Sequence, residues 1–173
     1  MNYESEGTPI MAAKTNEMLP TKEEVLMNED DFLKGLLQAA SFKNDVENYK
    51  LIQVKRNGKL LFQFRVRPLE ESEIGECRKK ATKYAPNPNN RNLPKVEVET
   101  DYIKLRAYKI YMATVDEDKP KTWDNKTLMD KLDLLQNIEV IDSVLLAGEK
   151  DWICDIIDEI SGYGVSREDY AKN

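Results

Sequence analysis

Histidine is missing from this chain, and cysteine and aromatic residues are scarce. Among 173 residues there is no histidine, and aromatic residues make up 8%. Without an imidazole, the commonest general base and the commonest neutral metal ligand are lost. The two cysteines, Cys77 and Cys154, are too far apart for a CxxC zinc pair, and each is predicted to be a small core residue. Triad hydrolysis and zinc chemistry are therefore disfavoured.

Long apolar segments are missing as well. No run of about 18 apolar residues occurs, so no membrane-spanning helix is predicted. The start of the chain lacks a basic stretch followed by an apolar segment, so we expect no signal peptide. With 40% hydrophobic and 34% charged residues and a mean hydropathy of −0.65, the chain fits one cytoplasmic domain with a modest core.

No catalytic or cofactor-binding motif is found in the sequence. The phosphate-binding loops, the GxSxG elbow, the HExxH zinc motif and the EF-hand loop are all absent. Carboxylates are plentiful, but Asp155, Asp158 and Glu159 lie on a helix face opposite an apolar stripe, which favours a solvated surface. We therefore predict no catalytic residue, no cofactor and no metal site. An enzyme acting through carboxylates stays as an alternative.

Charge is distributed unevenly along the chain. Residues 1–42 hold 3 Lys/Arg against 8 Asp/Glu, residues 43–109 hold 16 against 9, and residues 110–173 hold 7 against 15. A basic middle is compatible with nucleic-acid binding. No basic motif interleaved with aromatic residues accompanies it, so we favour packing against the acidic ends or an acidic partner. No nucleic acid is predicted as a partner.

Residues 50–67 give the clearest local signal, a β-hairpin. Asn57 and Gly58 are the preferred pair for a type I′ turn. After the turn, apolar residues alternate with polar ones through Phe62, Phe64 and Val66. A hairpin alone is marginal in water. Helices are therefore expected to cover its apolar face.

Four stretches before the C-terminal region have helical periodicity: residues 29–40, 70–84, 101–115 and 125–135. Asp101 is a suitable N-cap for the third, and Asp124 or Asn125 for the fourth. Residues 103–107 also alternate, so a strand stays open there. Val96 and Val98 indicate another short strand. The helix over 29–40 either packs on the core or is an arm that grips a partner.

Residues 137–162 form the most apolar block and read as two helices. Apolar residues recur at helical spacing in both halves. Gly148 is predicted to end the first helix at a C′ position with positive φ, and Gly162 to end the second in the same way. Glu149 follows where a new helix favours an acid. The predicted fold is α+β, a mostly α-helical small domain with one antiparallel hairpin.

The order of these elements, with several phrases, resembles the XkdN-like tail assembly chaperones of contractile-tailed phages, defective prophages and tail-derived bacteriocins. The phrases are DDFLKGLL, the hairpin LIQVKRNGKLLFQFRVRPL, IGECRKKATKY, YKIYMATV and the terminal LLAGEKDWICDIIDEISGY. The resemblance covers about residues 29–163. Residues 1–28 are expected to be a flexible extension, and residues 164–173 a frayed tail.

The resemblance implies a non-catalytic assembly role. Such chaperones bind the tape measure protein, keep it soluble until the tail tube forms around it, and are absent from the mature particle. The tail tube protein is a further candidate partner, self-association is left open, and the place of action is the cytoplasm of the bacterial host. A structural tail or baseplate adaptor is the alternative function.

Five apolar residues are the predicted partner-binding positions, because a small core cannot cover every stripe. They are Phe32 and Leu36 of the first helix, with Leu146, Trp152 and Ile156 near the C-terminus. The predicted structural positions are Asn57, Gly58, Gly148 and Gly162.

Overall fold

The structure, a computed structural model, describes residues 22–42, 45 and 48–164. This part of the chain contains six α-helices and two antiparallel strand pairs, which confirms the predicted mostly helical α+β class. In chain order the elements are α1 (Lys22–Phe42), β1 (Lys50–Arg56), β2 (Lys59–Val66), α2 (Glu71–Ala81), β3 (Thr82–Ala85), β4 (Val96–Thr100), α3 (Tyr102–Ala113), α4 (Lys126–Leu132), α5 (Asn137–Val144) and α6 (Ala147–Ile160). The described residues up to Ala40 and those from Ser41 onward belong to two different compact units.

Strands β1 and β2 form the predicted hairpin. Asn57 and Gly58 have φ values of 52° and 74°, as a type I′ turn requires. Ile52 pairs with Phe64, and the register shifts at a bulge after Val54. One face of the hairpin is buried, since Ile52, Val54, Phe64 and Val66 are almost completely inaccessible to solvent.

Helices α3, α5 and α6 supply the cover for that face. Ala107, Ile110, Ile141, Ile153 and Ile157 are buried in the same apolar cluster as the hairpin side chains. The chain after α3 then runs beside β2. The amide of Arg67 donates to the Ala113 carbonyl at 2.8 Å, and the amide of Val115 donates to the Arg65 carbonyl at 3.1 Å. Helix α3 is therefore tied to the hairpin by backbone as well as by packing.

Trp123 is the largest fully buried side chain. Its indole N–H donates to the Thr114 hydroxyl at 2.8 Å, and that hydroxyl donates to the Ile110 carbonyl at 2.7 Å. Its ring meets Phe64 edge to face at 5.0 Å between centroids. The polar end of the tryptophan is thus satisfied inside the core, so its burial carries no unpaired donor.

The second strand pair was only half predicted. Strand β4 matches the short strand predicted from Val96 and Val98. Its partner β3 lies in residues that were predicted to continue the preceding helix as far as Tyr84. That prediction is wrong, because α2 ends at Ala81. The amide of Asp101 donates to the Ala81 carbonyl at 2.9 Å, so β4 arrives beside the end of α2 and draws the next residues into a strand pair.

Side chains of aspartate, asparagine and glutamate cap the N-termini of several helices. Asp101 accepts from the amides of Ile103 and Lys104, both at 3.1 Å, so residues 103–107 are helical and the strand alternative is excluded. Asn125 caps α4 through the amide of Leu128. Glu73, Glu139 and Glu149 occupy N3 of α2, α5 and α6, and each accepts from the N-cap amide of its own helix.

Candidate functional site

Helix α1 presents a row of apolar side chains. Phe32 is 70% exposed and Leu36 is 53% exposed, and Leu33 and Leu37 are exposed beside them on the same face. Their spacing of i, i+1, i+4 and i+5 makes one continuous stripe. Lys34 lies off this stripe and is close to Asp31, at 3.6 Å. Both predicted binding positions in α1 are therefore accessible.

The break between α5 and α6 lies elsewhere than predicted. Gly148 has no positive φ, and it lies in the first turn of α6 instead of after α5. The two residues that interrupt the helices are Leu145 and Leu146, both extended, with ψ of 139° and 157°. A Cβ on Gly148 would meet nothing within 4 Å. The prediction that Gly148 ends the first helix at a C′ position with positive φ is therefore wrong.

Arg56, at the end of β1, holds this break. Its Nη2 donates to the carbonyl of Val144 at 2.7 Å and to Glu149 Oε2 at 2.7 Å, and its Nε donates to Glu149 Oε1 at 3.0 Å. The hydrogen bond with Arg56 lowers the pKa of the Glu149 carboxyl. One guanidinium therefore satisfies a carbonyl at the end of α5 and binds the capping carboxylate of α6.

The predicted binding residues near the C-terminus differ in exposure. Leu146 is 57% exposed at the N-cap of α6, and Trp152 is 47% exposed. Ile156 is partly buried and packs against the core. A helix turns about 100° per residue, which places Trp152 at the margin of the buried Ile153 and Ile157 stripe. Leu146 and Trp152 are thus available for a partner, and Ile156 only at its edge.

Gly162 ends α6 with a φ of 93°. Its amide donates to the Glu159 carbonyl, and the amide of Tyr163 donates to the Asp158 carbonyl. These two bonds are the Schellman pattern, in which a residue with positive φ satisfies the last helical carbonyls. Glycine is needed here for its conformation, unlike Gly148.

A cavity of about 280 Å³ opens beside α4. We name it the α4 pocket, and its lining residues are Phe62, Lys121, Thr122, Trp123, Leu128 and Val144. Phe62 and Trp123 meet there edge to face, with ring centroids 6.1 Å apart. Sequence reasoning missed this site. Each apolar residue carried a periodic signal of its own, but no local pattern shows that a strand, a turn and two helices converge.

Two acidic residues of α6 pair with basic residues of α3. Asp158 pairs with Lys109, and Asp151 pairs with Arg106. Within the described ranges, no group of three or more His, Cys, Asp or Glu side chains is arranged to hold a metal ion. Both cysteines are buried, and desolvation raises the pKa of Cys77 and of Cys154 to about 11. Neither thiol is therefore set up as a nucleophile.

The basic middle of the chain binds acids of its own fold. Arg65 donates to Asp118 through its backbone amide, Nε and Nη2 at 2.8–3.1 Å. Arg67 makes a bidentate pair with Glu73. Together with the links from β1 and α3 to α6, the Arg65–Asp118 pair shows that part of the basic middle packs against the acidic C-terminal stretch. These pairs favour internal packing over a nucleic-acid surface.

A family model described as phage XkdN-like tail assembly chaperone protein matches residues 33–173. The chain belongs to this family. The resemblance based on residues 29–163 is thereby confirmed, and the general role of this tail assembly chaperone is in phage tail assembly, which implies binding to tail proteins.

The chain was also compared with curated proteins and with solved structures. No curated protein matches this tail assembly chaperone. Among solved structures, it is similar to the crystal structure of the protein yqbn, a structural genomics target, with a TM-score of 0.39 and 19% identity over 66% of this chain and 86% of that one. None of the described helices is both long and apolar enough to cross a membrane.

Proposed function

We propose that this chain binds the tape measure protein and keeps it soluble while the tail tube assembles, without catalysis. The observation that carries the proposal is the exposed stripe of α1, where Phe32, Leu33, Leu36 and Leu37 all face solvent. A contiguous apolar stripe on a helix is a recognition element for another amphipathic helix. Family membership supplies the context in which a tail protein is the partner.

Leu146 and Trp152 provide a second contact in this proposal. They lie in the phrase LLAGEKDWICDIIDEISGY, which is part of the family resemblance, and tryptophan is enriched among residues that dominate binding energy. The net charge of −6 keeps the complex with a sticky client soluble. Residues 29–163 are proposed as the working domain, with 1–28 and 164–173 as flanking segments.

The proposed place of action is the cytoplasm of the bacterial host, before the particle is complete. The tail tube protein is a further candidate partner in this scheme, since the client must be handed over to the tube. The chaperone would then be missing from the mature particle. Mass spectrometry of purified particles tests this point, because detection at a fixed stoichiometry would indicate a structural tail or baseplate adaptor instead.

Co-expression with the tape measure protein of the same gene cluster tests the main proposal. We expect the wild-type chain to raise the soluble fraction of the tape measure protein and to copurify with it. Phe32→Asp and Leu36→Asp should each reduce both, since a charge in the stripe must be desolvated on binding. Lys34→Gln changes the net charge by the same amount outside the stripe and should behave as wild type.

Circular dichroism and urea unfolding of each variant exclude misfolding as the cause of a loss. Equal tape measure solubility with all four chains, each of them folded, would refute the proposal. A loss with Lys34→Gln as large as with Phe32→Asp would refute the role of the stripe, because net charge alone would then explain the effect.

A further inference from the structure

The α4 pocket has the size for one side chain. Its volume is about 280 Å³. Small-molecule sites usually measure about 300–1,000 Å³, and an apolar cavity of about 150 Å³ already holds benzene. The apolar lining consists of the edge-to-face pair of Phe62 and Trp123 together with Leu128 and Val144. A single large aliphatic or aromatic side chain matches this volume and this lining.

The rim of the pocket is positively charged. Lys121 lines it, and Lys126, the first residue of α4, lines a second depression along the same helix. Within the described part of the chain, no carboxylate lies at ion-pair distance from either ammonium. Arg65 donates hydrogen bonds to Asp118 and, together with the charge of Lys121, lowers the pKa of that carboxyl. Asp124 accepts from the Tyr111 hydroxyl at 3.1 Å and from Asn137 at 3.0 Å.

Lys126 is also unfavourable for α4 itself. It is the first residue of that helix, where the macrodipole favours an acid over a cation. Within the described fold, no acidic side chain pairs with this exposed lysine to offset that unfavourable interaction. A carboxylate brought by a bound molecule would complement both Lys121 and Lys126.

The surface beyond α4 continues the site. A second depression of about 450 Å³ lies along α4, lined by Asp124, Lys126, Met129, Leu135, Gln136 and Asn137. Leu135 is almost fully exposed there. Helix α4 has no buried residue, and it ends at Asp133 in the left-handed conformation with a φ of 55°. Apolar side chains and one lysine therefore line this second depression as well.

We propose that the α4 pocket receives one large apolar side chain of a client helix in which acidic residues flank that side chain. This inference rests on the proposed client-binding function and adds the chemistry that the client must have. The apolar side chain enters between Phe62, Leu128 and Val144, while carboxylates one turn away on the client helix approach Lys121 and Lys126.

Two synthetic amphipathic peptides test the charge preference. They share one leucine and phenylalanine stripe, contain no tryptophan, and carry either glutamate or lysine beside the stripe. Binding to the full chain is measured by fluorescence anisotropy of labelled peptides. We expect the glutamate peptide to bind about three- to tenfold more tightly, as two rim ion pairs allow, with the difference shrinking at high salt.

Charge reversal localises the effect. The double variant Lys121→Glu and Lys126→Glu should reverse the preference, and both side chains are exposed, so the fold should be retained. Lys79→Glu and Lys80→Glu on the exposed face of α2 change the net charge equally and should leave the preference unchanged. Equal affinities for the two peptides, or equal effects of both double variants, would overturn the proposal, and so would failure of the glutamate peptide to bind.

Contact quenching reports the pocket directly. The chain has two tryptophans, so Trp152→Phe leaves Trp123 as its sole indole. A glutamate peptide with 4-iodophenylalanine in its stripe should quench Trp123, and bound peptide without quenching would contradict insertion into the pocket. If the peptide binds without quenching Trp123 while tape measure solubility still depends on Phe32, the pocket proposal alone is refuted. If tape measure solubility does not depend on Phe32, the proposed function itself is refuted.

Discussion

The two antiparallel strand pairs of this protein differ in what holds them. The first pair, β1–β2, buries Phe64 and its neighbours under three helices. Two of its arginines also reach acids of other segments, Arg56 to Glu149 and Arg65 to Asp118, and Arg67, directly after β2, pairs with Glu73. In the second pair, β3–β4, Val98 is 64% exposed, and every residue of β4 except Thr100 is exposed.

The second pair exists because of the helices on either side of it. Thr82 and Thr100 share a hydroxyl–hydroxyl hydrogen bond of 2.9 Å at its base, next to the Asp101 amide on the Ala81 carbonyl. Helices α2 and α3 pack on each other. The chain that leaves the end of α2 must therefore return close to that point, where α3 begins. The comparison teaches that alternating sequence predicts a strand pair well when one face is buried, and poorly when helix ends bring the strands together.

Aromatic truncation should show the largest difference between the two pairs. Phe64→Ala in β2 should cost about 3–5 kcal/mol of unfolding free energy, because it empties a buried site against Trp123. Tyr84→Ala in β3 is the matched change, and it should cost less than about 1 kcal/mol because that ring is exposed. Urea denaturation measures both. Similar losses at the two positions would mean that the second pair is also part of the cooperative core.

The second-largest effect is expected from acid, which should weaken the ion pairs of the first strand pair. Hydrogen bonds from arginines lower the pKa of Glu73, Asp118 and Glu149 below the ordinary values of 4.5 and 3.8. A lowered carboxyl pKa contributes stability that is fully present above the ordinary value and is lost as the pH falls through the folded value. We expect the urea midpoint to decrease as the pH is lowered to about 4.5 and below, where about half or more of the glutamate in the unfolded state is protonated.

Glu149→Gln provides the check on that pH profile. It should lower the midpoint at pH 7 and flatten the profile, since one of the three carboxyls no longer titrates. Glu97→Gln on the exposed strand β4 is the control and should leave the profile unchanged. A profile that is identical in wild type and Glu149→Gln would contradict the role given to the bond from Arg56.

The turn of the first hairpin should give a smaller effect. Gly58→Ala forces a residue with a Cβ to a φ of 74° and should cost about 1 kcal/mol, although nothing lies within 4 Å of the added atom. Gly148→Ala also adds a methyl group in open space, but inside the first turn of α6. It should be neutral or stabilise by up to about 1 kcal/mol. A cost at Gly148 equal to that at Gly58 would argue against the position of the helix break.

Loop shortening in the second pair should have the smallest effect. Deleting residues 89–92 removes only exposed residues, and Asn87 can still reach the Pro94 carbonyl at the base of the loop. Shortening a loop of this size changes the closure entropy by less than about 1 kcal/mol. Thermal unfolding should therefore shift by only a few degrees. A large fall in the melting temperature would show that the loop contributes packing.

Much of the fold was predictable from short-range chemistry. The first hairpin followed from Asn57, Gly58 and the alternation after them. Asp101 and Asn125 marked the starts of α3 and α4. The family was recognisable from the pattern over residues 29–163, although no catalytic motif defines it. By contrast, β3 was hidden inside a helical pattern, because the residues of a strand pair at helix ends need no periodicity of their own.

The sequence by itself determined the positive φ at Gly58 and Gly162, because it depends there on the residue and its immediate neighbours, although the same reasoning failed at Gly148. Only the tertiary structure decided that Leu145 and Leu146 break the last helix pair, since Arg56 from a distant strand holds both helix ends there. It also decided which apolar residues stay uncovered. Periodicity places Trp152 and Ile153 on one stripe, but the neighbouring elements bury Ile153 and leave Trp152 at the surface.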